Sequence, residues 1–263
     1  MSGFDLRAIA RELDTFSGAY VKKAYMPHYE QIVLRINPKE SDQFDLVLVR
    51  GARIYTSNRD RPMPMTPPPF AMMLRKHLKN ARMTGVRQLG FDRVLAFDFD
   101  TKFGERHLYV EVFRDGNIIL TDEEGIIIQP LTHASYSGRT LKKGVLYQPP
   151  PQALDPHEMD LETLEEMFQN SDRDLVSTLG GKANLGGTHA NAVCELAGIE
   201  PNIDTKDASA EKILQSLKSL LTDLSNSDAG HILLKPSKDF DDEGLEKHIV
   251  TLENNSIRDR FLE

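Results

Sequence analysis

The chain has 263 residues, a hydrophobic fraction of 40% and a formal net charge of −8 from 32 Lys+Arg against 40 Asp+Glu, enough for one large or two ordinary domains with a real core. No apolar run approaches the ~18 residues that cross a bilayer, and the first residues alternate charged with apolar side chains instead of forming the apolar stretch of a signal peptide. One cysteine, Cys194, excludes an internal disulfide and a four-Cys zinc site; a cytoplasmic protein is expected.

In chain order, residues 4–16 place Phe4, Leu6, Ile9, Ala10, Leu13 and Phe16 on one stripe and read as a helix ending at Gly18. Short β-branched or aromatic runs at 20–25, 31–36, 45–49 and 53–56 read as strands. Pro67-Pro68-Pro69 stops them, and a second helix follows over 69–80. Further strands are expected at 83–89, 93–99, 107–113, 117–121 and 126–129, with hairpin turns at Asp115-Gly116 and at Glu123–Gly125. Pro149-Pro150-Pro151 suits an extended linker. Helical patterns then occupy 161–170, 172–179, 188–197 and 209–224, and weaker strand signals lie at 231–235 and 249–252, separated by an acidic loop at 239–244. The expected fold class is α+β: an antiparallel, β-sandwich-like domain at 1–148 with flanking helices, a helical domain at 149–226, and a small β extension at 227–263.

Charge is unevenly spread. Residues 1–150 carry 22 Lys+Arg and 17 Asp+Glu, and residues 151–263 carry 10 and 23. Between Arg50 and Arg93 ten basic residues face two acids, Asp60 and Asp92, the footprint of a surface that meets a polyanion at one place. Within this band Arg53, Arg75, Lys76, Lys79, Arg82 and Arg87 are the candidate phosphate contacts. Asp92-Arg93 follows Gly90, and from the residues alone it reads as a surface ion pair or a turn aspartate bonding its own backbone. The eight histidines show no H-x-x-x-H or H-E-x-x-H spacing and no G-x-x-x-x-G-K-[ST] occurs, so neither a metal, a nucleotide nor another cofactor is expected. Cys194, among Ala192, Val193, Leu196 and Ala197, reads as a buried thiol.

Four separated strings, F-D-L-R at 4–7, G-A-R-I-Y-T at 51–56, P-P-F-A-M-M-L-R-K-H-L-K at 68–79 and Q-L-G-F-D-R at 88–93, together resemble the N-terminal part of the NFACT family over roughly residues 1–200. The resemblance implies a role in ribosome-associated quality control: binding a large ribosomal subunit and its rRNA while it is obstructed by peptidyl-tRNA, and recruiting tRNA for untemplated C-terminal tailing of the stalled chain. It also implies that Asp5, Asp92 and Arg93 act together in tRNA binding, a recognition role and not an enzymatic one. The segment around Leu185, Gly186 and Gly187 resembles a helix-hairpin-helix turn, with Asn184 where many such turns have glycine.

The family's N-terminal fold is similar to that of formamidopyrimidine-DNA glycosylases, which makes a DNA-binding or DNA-repair protein the alternative. Those enzymes use an N-terminal proline amine and a four-Cys zinc finger, whereas this sequence opens Met1-Ser2-Gly3 and has one cysteine. Family members continue into a coiled coil, and no sustained heptad pattern occurs in this sequence, so it is expected to be the N-terminal part of a longer protein.

Overall fold

The computed structural model describes residues 1–136, 138–226, 230–233 and 249–252. The chain opens with α1 (Gly3–Asp14), and a capping box starts it: the Ser2 hydroxyl accepts from the Asp5 amide at 3.2 Å, and the Asp5 carboxylate accepts from the Ser2 amide at 2.6 Å. There follow β1 (Tyr20–His28), β2 (Gln31–Asn37), β3 (Phe44–Val49), β4 (Arg53–Ser57), α2 (Pro69–Leu78), β5 (Arg82–Gln88), β6 (Val94–Thr101), β7 (Gly104–Glu111), β8 (Ile118–Asp122) and β9 (Ile127–Pro130). All nine strands form one antiparallel sheet in the order β4-β3-β2-β1-β5-β6-β7-β8-β9.

The sheet has a seam. β1 and β5 pair at Tyr20↔Arg82, and backbone hydrogen bonds join residues 18–21 to 80–83 before the two strands part. Both halves nevertheless share one core: Ile32, Leu34, Leu46 and Ile54 from one side meet Phe97, Phe99, Leu108 and Leu120 from the other. Leu6, Ile9 and Leu13 of α1 and Phe70, Leu74 and Leu78 of α2 complete it. Two apolar faces cannot both stay wet, so the sheet folds across its weakest pairing and closes on itself with the helices. The expected sandwich thus differs in one respect: hydrogen bonding runs on through the seam instead of stopping between two sheets.

Beyond the sheet come β10 (Ala134–Tyr136) and β11 (Arg139–Leu141), which pair with each other and were not anticipated. Next are α3 (Leu161–Gln169), α4 (Leu175–Gly181), α5 (Gly186–Ala197) and α6 (Ala210–Asn226). Leu164, Phe168, Leu175, Leu179, Val193, Ile213 and Leu217 build a second core. Phe4 and Phe91 leave the sheet domain and bury themselves in that core, so the two parts share side chains as well as a linker. Cys194 lies in it too, 1% exposed, and burial pushes its thiol pKa up. β12 (Gly230–Leu233) and β13 (Ile249–Leu252) form a separate antiparallel pair; the acidic loop expected at 239–244 lies outside the described residues. No helix among the described residues is long and apolar enough to cross a membrane.

Candidate nucleic-acid interface

The strings 4–7 and 88–93 are remote in sequence and meet in space. Phe4 packs edge-on against Phe91 with ring centroids 4.6 Å apart. The Gln88 amide nitrogen donates to the Gly3 carbonyl at 2.9 Å and to the Asp92 carbonyl at 2.8 Å, while its oxygen accepts from Arg7 Nε at 3.2 Å. At the far end of α1 the Asp14 carboxylate accepts from the Val86 amide at 2.9 Å. The helix is therefore lashed to β5 at both ends. A glycine is needed at the contact: a Cβ on Gly3 would sit 2.9 Å from both the Phe91 ring and the Phe91 carbonyl oxygen. Between α1 and β5 a shallow groove of about 260 Å³ is lined by Arg7, Arg11, Asp14, Val86 and Gln88.

This scaffold brings the start of α1, with Asp5, to the turn carrying Asp92 and Arg93. Arg93 is exposed, and no side-chain partner holds it among the described residues. Asp92 accepts from the Arg93 amide at 2.7 Å and is half-buried. Asp5 is exposed but turned back onto the Ser2 amide, and no hydrogen bond or ion pair joins it to Asp92 or Arg93. The arrangement offers acceptor oxygens and a five-donor guanidinium to solvent at one end of the domain. The side chains that set this geometry, Arg7, Gln88 and Phe91, escaped the sequence reading although each lies inside a quoted string, because their roles depend on contacts between strings.

Arg7 is the hub between the two cores. Its guanidinium lies 4.8 Å over the Phe91 ring and donates to Asp155 at 2.8 Å. His157 Nδ1 is 2.8 Å from Arg7 Nη1 and also 2.8 Å from Asp155 Oδ1, so it accepts from the one or donates to the other according to its tautomer. Burial pushes the Asp155 carboxyl up, but hydrogen bonds from the His157 amide, from Arg7 and from the His157 ring outweigh it and hold the group below the usual carboxylate range. Asn184 joins the same junction: its amide donates to the Leu154 carbonyl at 3.2 Å and, at 3.4 Å, to that of Phe91. Its φ of 58° explains why glycine is common at such a position, and asparagine is among the few other residues that adopt this conformation readily. Leu185, 1% exposed, faces the helical core, while Gly186 and Gly187 start α5 with no atom within 4 Å of where a Cβ on either would sit.

The basic band is dispersed by the fold. Arg82 pairs with Asp100 at 3.6 Å and Arg87 with Asp98 at 3.1 Å, two acids that cross-strand pairing supplies from outside the 50–93 window. Arg53 lies 5.7 Å over the Tyr55 ring, half-buried. Arg75 donates to the Ala24 carbonyl at 2.7 Å. Lys76 and Lys79 are exposed on or just after α2.

A family model described as the NFACT N-terminal and middle domains matches residues 2–256. The chain is 32% identical over 253 residues to the archaeal Rqc2 homolog aRqcH of Methanocaldococcus jannaschii, covering 92% of this chain and 38% of that protein. It is 30% identical over 260 residues to the ribosome quality control complex subunit NEMF of Homo sapiens, covering 91% of this chain and 24% of that one. The chain thus spans well under half the length of these relatives. Among solved structures, the N-terminal part of the fibronectin/fibrinogen-binding protein from Streptococcus suis superposes with a TM-score of 0.72 at 25% identity, covering 89% of this chain and 88% of that one. The fibrinogen binding protein from Staphylococcus aureus shares the fold, with a TM-score of 0.76 at 17% identity over 96% of this chain and 95% of that one.

Proposed function

This chain belongs to the NFACT family, and from that premise we propose that it is the tRNA-binding portion of a cytoplasmic ribosome-associated quality control factor. In this reading the factor engages large ribosomal subunits carrying peptidyl-tRNA and recruits tRNA for untemplated tailing of the stalled chain. The relatives named as Rqc2 homologs and as a ribosome quality control complex subunit support the general process. The observation that carries the tRNA reading is the exposed Arg93, beside Asp92 and near Asp5, on a rim held rigid by Gln88, Phe91 and Arg7. A guanidinium forks onto phosphate or stacks on an unpaired base, and carboxylates accept from base or ribose groups. The role is recognition, with no bond made or broken by these side chains. The helix-hairpin-helix reading of 175–197 assigns the α5 N-terminus at Gly186 and Gly187 to a backbone phosphate.

Titrating several purified tRNAs over a salt series tests this. Changing Asp92 and Arg93 to alanine should reduce discrimination between tRNAs, because an acceptor has no use against phosphate. Changing Lys76 and Lys79 should weaken all tRNAs alike and flatten the salt dependence. Absence of tRNA binding by the unaltered chain overturns the reading.

A further inference from the structure

The outer face of the β1–β4 half of the sheet, opposite the main core, carries a row of side chains set by strand register: Tyr25↔Val33↔Val47↔Tyr55. The neighbouring row is Lys23↔Arg35↔Asp45↔Ser57. At the Tyr25 end three cations surround one ring: Lys23 Nζ at 5.2 Å, the Arg35 guanidinium at 5.2 Å and that of Arg75, arriving from α2, at 5.3 Å. A register shift between Val21 and Lys23 bulges β1, and both Lys22 and Lys23 are exposed there.

The charges do not balance locally. Arg35 is held bidentately by Asp45, at 2.9 and 3.2 Å, and that carboxylate is only 5% exposed and so committed. Asp60 acts on Arg35 only through a weaker Coulomb attraction. Neither Lys22, Lys23 nor Arg75 has a carboxylate partner among the described residues. Lys23 stands directly opposite Arg35 on the sheet, where like charges repel, and because Asp45 is taken up by Arg35 the Lys23 charge keeps no carboxylate of its own. At the far end of the row this opening is absent: Tyr55 is 4% exposed, with Arg53 and Arg61 against its ring and Met63 packed on the same small cluster.

We propose that Lys22 and Lys23 at the β1 bulge, with Arg75 beside Tyr25, form a phosphodiester-binding site for an RNA backbone, a further RNA contact distinct from the Asp92–Arg93 rim. It rests on the proposed function for the identity of the anion as RNA. A compact ammonium pair and a guanidinium already fixed through its Nε on the Ala24 carbonyl suit the tetrahedral oxygens of phosphate, and the half-exposed Tyr25 hydroxyl adds a donor. From the seam at Tyr20↔Arg82, β1 runs towards Tyr25 and β5 runs in the opposite direction towards Gln88, so the two contacts diverge from the seam along different strands.

The test is tRNA binding by the full chain over a salt series, together with amine acetylation of the free and tRNA-bound protein read by mass spectrometry. Lys22→Gln with Lys23→Gln should weaken binding several-fold and lower the slope of log affinity against log salt by roughly 1.5, two counterions' worth. An unchanged melting temperature checks that the fold is kept. In the unaltered protein tRNA should protect Lys22 and Lys23 from acetylation. Unprotected lysines and an unchanged salt slope, with discrimination between tRNAs still reduced on changing Asp92 and Arg93, overturn this site and leave the proposed function standing. No tRNA binding by the unaltered chain overturns both.

Discussion

At the scale of single residues, several side chains with a candidate binding role also have a structural one. Asp5 caps α1 through the Ser2 amide, so removing it loosens the helix start as well as any contact it makes. Asn184 is the clearest case for separating backbone from side chain. Asn184→Gly keeps the φ of 58° accessible and loses only the amide bonds to Leu154 and Phe91, so it should cost about 1 kcal/mol. Asn184→Ala loses the same bonds and adds left-handed strain, for about 2 kcal/mol in all. Urea unfolding of both variants checks the order. A glycine variant less stable than the alanine variant would mean that the backbone conformation is not what asparagine serves here.

Elements of this fold differ in how visibly they are written. The nine strands of the large sheet and α1–α6 follow from apolar period and turn residues, because each is long enough to show its period. β10 and β11 have three residues each and show none. What fixes them is tertiary: Arg139 on β11 forks onto Glu111 at the end of β7, at 2.5 and 3.1 Å, and the Tyr147 hydroxyl donates to the same carboxylate at 3.1 Å. Glu111 is 0% exposed, and Tyr147, buried beside it, has its pKa driven far above the usual phenol range by burial first and by the carboxylate next. Arg139→Ala therefore strands a buried charge and should cost about 3–5 kcal/mol, with early loss of hydrogen-exchange protection across 134–147. Arg139→Lys should recover part of this. A cost near zero for the alanine variant would show that Glu111 takes up a proton or finds water instead.

Over the whole molecule, the decisive feature is the junction where Arg7, Asp155, His157, Asn184, Phe4 and Phe91 tie the sheet domain to the helical one. Because the Asp155 pKa is depressed in the fold, its contribution is complete above its unfolded value of 3.8 and is lost as pH falls through the lower, folded value. The melting-temperature gap between the unaltered chain and Asp155→Asn should be full well above 3.8 and shrink as pH falls below it. A gap that persists in acid would assign the effect to shape and not to charge. The same junction supports the rim bearing Asp92 and Arg93, so a loosened junction should weaken the tRNA binding proposed for that rim even though Asp155 itself lies in the connection to α3.

The sequence by itself determined the α+β class, most element positions, the family, and the strings from which the candidate site is drawn. These are properties of local period, turn chemistry and residue order. It did not reveal that Gln88 bridges Gly3 and Asp92, that Asp98 and Asp100 neutralise Arg87 and Arg82, or that Lys23 and Arg35 stand opposite each other beside Tyr25. Each of these rests on strand register or on contact between distant segments, and a one-residue slip in register would send the same side chains to opposite faces. Charge counted along the chain is therefore a poor guide to charge on a surface, and only the folded sheet decides which cations keep a neighbour and which are left to meet a ligand.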